Sequence, residues 1–94
     1  MEHHIIVKYN DTVIDKEELL QRIRAHFADV TAIEGVSGVE FHTSVIDRPN
    51  RYDLMIVIEM EKESLPLFDA SDVHNLWKEN FSKYIVQKAI FDCD

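Results

Sequence analysis

The sequence predicts an α+β chain with the element order β-α-β-β-α-β. Three observations predict it. Four segments alternate apolar and polar residues with the period of a strand, and two longer segments repeat apolar residues every three or four positions. Only two Gly and two Pro occur in 94 residues, so little of the chain is available for irregular structure.

The first strand runs from His3 to Asn10, with Ile5 and Val7 on one face and Ile6 on the other. Asp15 then reads as a helix N-cap, and Glu18 three residues later completes a capping box. Leu20, Ile23, Phe27 and Val30 form one apolar stripe, and Gly35 is the expected stop, because glycine adopts positive φ without a Cβ penalty. Val39 to Ile46 alternates again, with Val39, Phe41 and Val45 opposite Glu40, His42 and Ser44. Asp47-Arg48-Pro49-Asn50-Arg51 has the composition of a turn. Tyr52 to Met60 is the strongest strand, apolar on both faces: Leu54, Ile56 and Ile58 against Met55 and Val57. Ser64 is the expected cap of a short helix with Pro66 in its first turn, and Ser71 or Asp72 the cap of the next. Val73, Leu76, Trp77, Phe81 and Tyr84 make the second helical stripe, and Val86 to Asp92 the last strand.

Two right-handed βαβ crossovers sharing one antiparallel sheet give the strand order 4-1-3-2, the ferredoxin-like arrangement. The first and third strands are apolar on both faces, as central strands must be, and the second and fourth are mixed, as edges should be. Both helical segments then cover one face of the sheet. The other face, roughly 400 Å² for four strands of ordinary length, has no cover within the chain. A patch of that size is at the limit of what a monomer exposes, so a homodimer through the open sheet face is expected.

Length and composition bound the rest. The 94 residues fit a single domain, spanning 1–94, with 46 % hydrophobic and 30 % charged residues. A net charge of -8 and the lack of a basic stripe weigh against nucleic acid and against an anionic membrane surface. No apolar run approaches the ~20 residues of a membrane span, and the start of the sequence lacks the pattern of a signal peptide. Cys93 is the only cysteine, so no intrachain disulfide forms. These features point to a cytoplasmic protein.

The chain also resembles the stress-responsive A/B-barrel (Dabb) family along nearly its whole length. The resemblance is carried by His3-His4-Ile5-Ile6-Val7-Lys8, by Gly35-Val36 and Gly38-Val39, by Tyr52-Asp53-Leu54, by Phe68-Asp69-Ala70-Ser71-Asp72-Val73-His74 and by Phe91-Asp92. It implies a dimeric α+β barrel of two facing sheets, with a small cavity between sheet and helices in each subunit. It further implies a cofactor-free enzyme, polyketide-cyclase-like or quinol-monooxygenase-like, a binder of a small apolar or aromatic molecule, or a non-catalytic stress or interaction protein. In cyclising relatives a first-strand His and the last His of a Tyr-x-x-His-Pro-x-His segment serve the cavity, and these positions match His3 and His74. The chain departs from that pattern at Phe68, which replaces the Tyr, at Ser71-Asp72, which replaces His-Pro, and at Leu54, which replaces a third-strand His. These departures weigh against cyclase chemistry.

The candidate catalytic residues are therefore His3 and His74, an acid/base pair if they share a cavity and otherwise a strand-end His and a helix His bonded to backbone. The candidate ligand-binding residues are Tyr9, Phe27, Phe68 and Trp77, each of which serves equally as core. No metal site is expected, since His3 and His4 are adjacent on a strand and point to opposite faces. Glu59 and Glu61 read as a solvated strand end, and Arg48 and Arg51 as partners of Asp47 and Asp53 or as an anion clamp.

Overall fold

The computed structural model describes residues 1–94. It contains strands β1 (Glu2–Tyr9), β2 (Val36–Thr43), β3 (Leu54–Met60) and β4 (Ile85–Cys93) and helices α1 (Lys16–Phe27), α2 (Leu65–Ala70) and α3 (Asp72–Phe81). The sheet is antiparallel throughout in the order β2-β3-β1-β4, the expected 4-1-3-2 read from the other edge. This is the ferredoxin-like fold. No helix is long and apolar enough to cross a membrane.

The register assigns the two faces. His3, Ile5 and Val7 of β1 lie opposite Ile58, Ile56 and Leu54 of β3, and all six are buried beneath the helices. Val39 and Phe41 of β2 join them across the same strand. From α1 the stripe Leu20, Ile23 and Phe27 descends onto this layer, with Leu19 beside it, and α3 adds Trp77 and Phe81. Burying each such side chain is worth about 1.5–3 kcal/mol. Phe27, Trp77 and Phe81 form a continuous aromatic contact, with ring centroids 5.3 Å apart at both steps. His26 ties α1 to α3: its Nε2 donates to the Val73 carbonyl at 2.7 Å, and its ring packs edge-on against Phe27 and Phe81.

The caps follow their chemistry. Asp15 Oδ1 accepts from the Glu18 amide at 3.0 Å at the start of α1. Ser71, with ψ 157°, breaks α2 from α3; its hydroxyl donates to the Phe68 carbonyl and accepts from the His74 amide.

Four sequence expectations shift. First, α1 ends at Phe27, well before Gly35, and Val30 is buried in a 3-10 turn spanning Val30–Ala32. Gly35 has φ 83° and serves the turn into β2 instead. A Cβ there would sit 1.9 Å from the Ser64 hydroxyl, so the position requires glycine on two counts. Second, Ser64 makes no capping bond; it is buried beneath that glycine.

Third, β2 stops at Thr43 and β3 starts at Leu54, so Val45 does not continue the inner face and is 92 % exposed. The Ser44 amide still donates to the Asp53 carbonyl just past the ladder's end, and Lys8 Nζ holds the returning hairpin through the carbonyls of Pro49 and Arg51. Fourth, Leu76 lies on the outer side of α3 and is 43 % exposed, leaving Trp77 and Phe81 as its buried anchors.

Candidate functional site

The two candidate histidines are close but engaged. Sharing parity with Ile5 and Val7 turns His3 to the helix side, where it is 5 % exposed. Its Nδ1 pairs with Asp92 Oδ1 at 2.5 Å, across the β1–β4 ladder. The Phe68 ring lies 5.4 Å from the His3 ring and 5.1 Å from the His74 ring, so one buried phenyl touches both. His74 Nδ1 donates to the Asp69 carbonyl at 3.0 Å, locking the imidazole over the α2–α3 break. Phe27, Phe68 and Trp77 are packed in the core, each 2 % exposed or less.

A cleft lies at the opposite end of β1. About 230 Å³ in volume, it opens between the sheet and the first turn of α1, and Tyr9, Leu20, Thr43, Val45, Ile46, Lys16 and Asp53 line it. A second hollow continues it under the hairpin, past Lys8, Arg48 and Arg51. Tyr9 is thus the one candidate ligand-binding residue that borders an open cleft.

Asp53 organises this end. Its Oδ2 accepts from the Tyr9 amide at 2.8 Å, and its Oδ1 accepts from Lys16 Nζ at 2.9 Å. The carboxylate therefore pairs with the first turn of α1. Arg51 instead donates to Asn50 Oδ1 at 2.7 Å. The hydrogen bond to Asp53 raises the Lys16 pKa and keeps the ammonium charged. Burial, and secondarily the Asp53 charge, push the Tyr9 phenol up to about 12. At neutral pH the cleft thus presents a neutral phenol, a fixed ammonium and a carboxylate against an apolar wall of Leu20, Val45 and Ile46. Such a set can orient a small molecule by hydrogen bonds. The Lys16–Asp53 pairing was not foreseen from sequence, since the two residues lie 37 positions apart.

The face away from the helices carries an apolar patch of Ile6, Met55, Val57, Ala89 and Phe91 that reaches the edge strand β4, with His4 between Val57 and Phe91. Glu40, His42, Glu59, Glu2, Lys8 and Gln87 flank it. Phe91 is 60 % exposed. An apolar patch with a polar rim is the anatomy of a protein–protein contact.

The fold and its two unlike faces define a ferredoxin-like α+β protein, covered by helices on one side and bare on the other. No family model and no curated protein matches the chain. Solved structures do. A dimeric ferredoxin-like protein of unknown function from Thermobifida fusca YX superposes with a TM-score of 0.78 at 13 % identity, covering 96 % of this chain and 85 % of that one. A Dabb family protein with a ferredoxin-like fold from Mesorhizobium loti matches with a TM-score of 0.72 at 12 % identity, over 99 % of this chain and 93 % of that one. The hydroxynitrile lyase of Passiflora edulis matches with a TM-score of 0.74 at 11 % identity, over 96 % and 87 %. The chain therefore has the fold of a Dabb-type domain; at such identities the likeness speaks to fold alone.

Proposed function

We propose that the chain is a homodimer, joined through its open sheet face, that binds a small, partly apolar or aromatic molecule in the Tyr9 cleft of each subunit. The observation that carries the binding is the cleft itself: an apolar wall facing a neutral phenol and a paired ammonium–carboxylate, between sheet and α1. The dimer is supported by the apolar patch of the open face and by the dimeric neighbour of like fold. A flat ring would lie against Leu20 and Ile46, with a hydroxyl or carbonyl oxygen reaching Lys16 Nζ or the Tyr9 phenol.

Amide shifts on titration with a panel of phenols, naphthols and quinols test this reading. At least one compound should move Tyr9, Lys16, Thr43 and Asp53 together, and Val45→Trp, which fills the mouth from an exposed position, should abolish the response. A panel that moves no residue of the cleft contradicts it.

One observation favours a second reading, acid–base chemistry at His3. A buried imidazole held by a carboxylate at 2.5 Å is the arrangement that orients a general base. Phe68 packs between His3 and His74, and the hydroxynitrile lyase neighbour is an enzyme on the same frame. Deuterium exchange at the α-carbon of small ketones, lost in His3→Gln, would support it; exchange no faster than in buffer would remove it.

A further inference from the structure

We propose that Glu2, His4 and Cys93 form a transition-metal site of the Zn²⁺ type at one corner of the open sheet face. It is independent of the cleft. Glu2 and His4 are two apart on β1 and so share a face, and the ladder sets Cys93 of β4 directly across from Glu2. Their carboxylate oxygen, ring nitrogen and sulfur all lie within 4.8 Å of one another.

The spacing suits a tetrahedral ion. With metal bonds of 2.0–2.3 Å, neighbouring ligand atoms stand roughly 3.3–3.6 Å apart. His4 Nε2 lies 3.4 Å from Glu2 Oε1, and Cys93 Sγ lies 3.8 Å from the same oxygen. These two distances are within tenths of an ångström of that spacing, and the third pair, His4 Nε2 and Cys93 Sγ, lies within 4.8 Å.

The imidazole is already oriented as a ligand. His4 Nδ1 meets the Phe91 carbonyl at 3.1 Å. A carbonyl only accepts, so Nδ1 carries a proton, and Nε2 is the ring atom turned toward the other two donors. Second-side anchoring of this kind accompanies metal-binding histidines. A cation placed between Nε2 and the Glu2 carboxylate would bridge the two. The His4 side chain is only 13 % exposed, which limits its freedom to turn away.

The donor set selects the metal. Thiolate, imidazole and one carboxylate suit Zn²⁺ or Co²⁺, whereas Mg²⁺ and Ca²⁺ require oxygen ligands. Binding converts the Cys93 thiol to a metal thiolate and releases its proton to solvent. The ion's two positive charges are then balanced by thiolate and carboxylate, so the loaded site at the edge of the apolar face is neutral. Three protein ligands leave a fourth position for water.

The test is Co²⁺ titration of untagged, chelator-treated full-length chain, read by absorption. One Co²⁺ per chain should bind, with the visible bands of a tetrahedral site and a thiolate-to-cobalt band, and Zn²⁺ should displace it. Cys93→Ser should lose the thiolate band and weaken binding by about tenfold or more, as should His4→Gln. His42→Ala, an exposed His on the same face, should change nothing. Should His4→Gln fail to fold by circular dichroism, Cys93→Ser alone decides. No stoichiometric uptake, or uptake indifferent to Cys93→Ser, overturns the proposal; in that case His4 and Glu2 form a plain ion pair.

Discussion

Phe91→Lys separates the fold of one chain from its assembly. Phe91 lies on the open face, on the edge strand β4, outside the buried core, and is 60 % exposed in the single chain. Replacing it removes no contact from the core beneath the helices. In a sheet-to-sheet dimer the same position is covered. Full burial of a Phe side chain is worth about 1.5–3 kcal/mol, so covering the exposed part contributes about 1–2 kcal/mol per copy. A twofold interface uses the residue twice, which gives about 2–4 kcal/mol per dimer. At ~1.4 kcal/mol per tenfold, the dimer Kd should rise roughly 30- to 1000-fold, before the cost of burying two ammonium groups is added. Sedimentation equilibrium over a range of concentrations measures the Kd, and far-UV circular dichroism checks that the chain stays folded. A folded variant with an unchanged Kd would refute the assignment of this face. Ile56→Lys is the contrast: Ile56 is fully buried on the helix side, and its replacement should unfold the chain outright.

Two further outcomes follow from the geometry. Gly35→Ala places a Cβ at positive φ, about 1–2 kcal/mol of strain, and drives it into Ser64, about 1–3 kcal/mol more, so thermal denaturation should shift down by about 10 °C or more. Gly38→Ala, with open space around the added Cβ, should leave the midpoint nearly unmoved, and equal effects at the two glycines would contradict the placement of Ser64. Tyr84 should ionise before Tyr9: the hydrogen bond from Arg22 lowers the Tyr84 pKa, and Tyr9, pushed up to about 12, should follow well after it. Because the folded chain holds the Tyr9 proton that the unfolded chain releases near 10, this group's contribution to stability is intact below pH 10 and is lost as pH rises toward 12. Phenolate absorbance in wild type, Tyr9→Phe and Tyr84→Phe reads the order; the latest phase should vanish with Tyr9→Phe.

The fold was legible because two short-range periods carry it. Alternation in β1 and β3, apolar on both faces, marks central strands, and the stripe Leu20, Ile23, Phe27 marks the buried side of α1. Parity alone set His3 with Ile5 and Val7. What sequence hid depends on register between distant segments. Glu2 meets Cys93 across 91 positions and His3 meets Asp92 across 89, pairings fixed only once β4 is aligned on β1. Reading His3 and His4 as neighbours set them on opposite faces, where the ladder places them. It could not show that His4 has two other donors beside it. The hairpin was misjudged at Val45 because the alternation continues in sequence after the ladder has lost its partner strand. Likewise Asp53 turned from its nearby arginines to Lys16, a choice made by where α1 begins.

The most direct measurement is the mass of the wild-type chain by light scattering at micromolar concentration. Twice the 11.0 kDa of one chain is predicted, with Phe91→Lys shifting toward a single chain mass on dilution. A wild-type mass of 11.0 kDa that persists as concentration is raised would mean the open sheet face stands in solvent, and the homodimer would be contradicted.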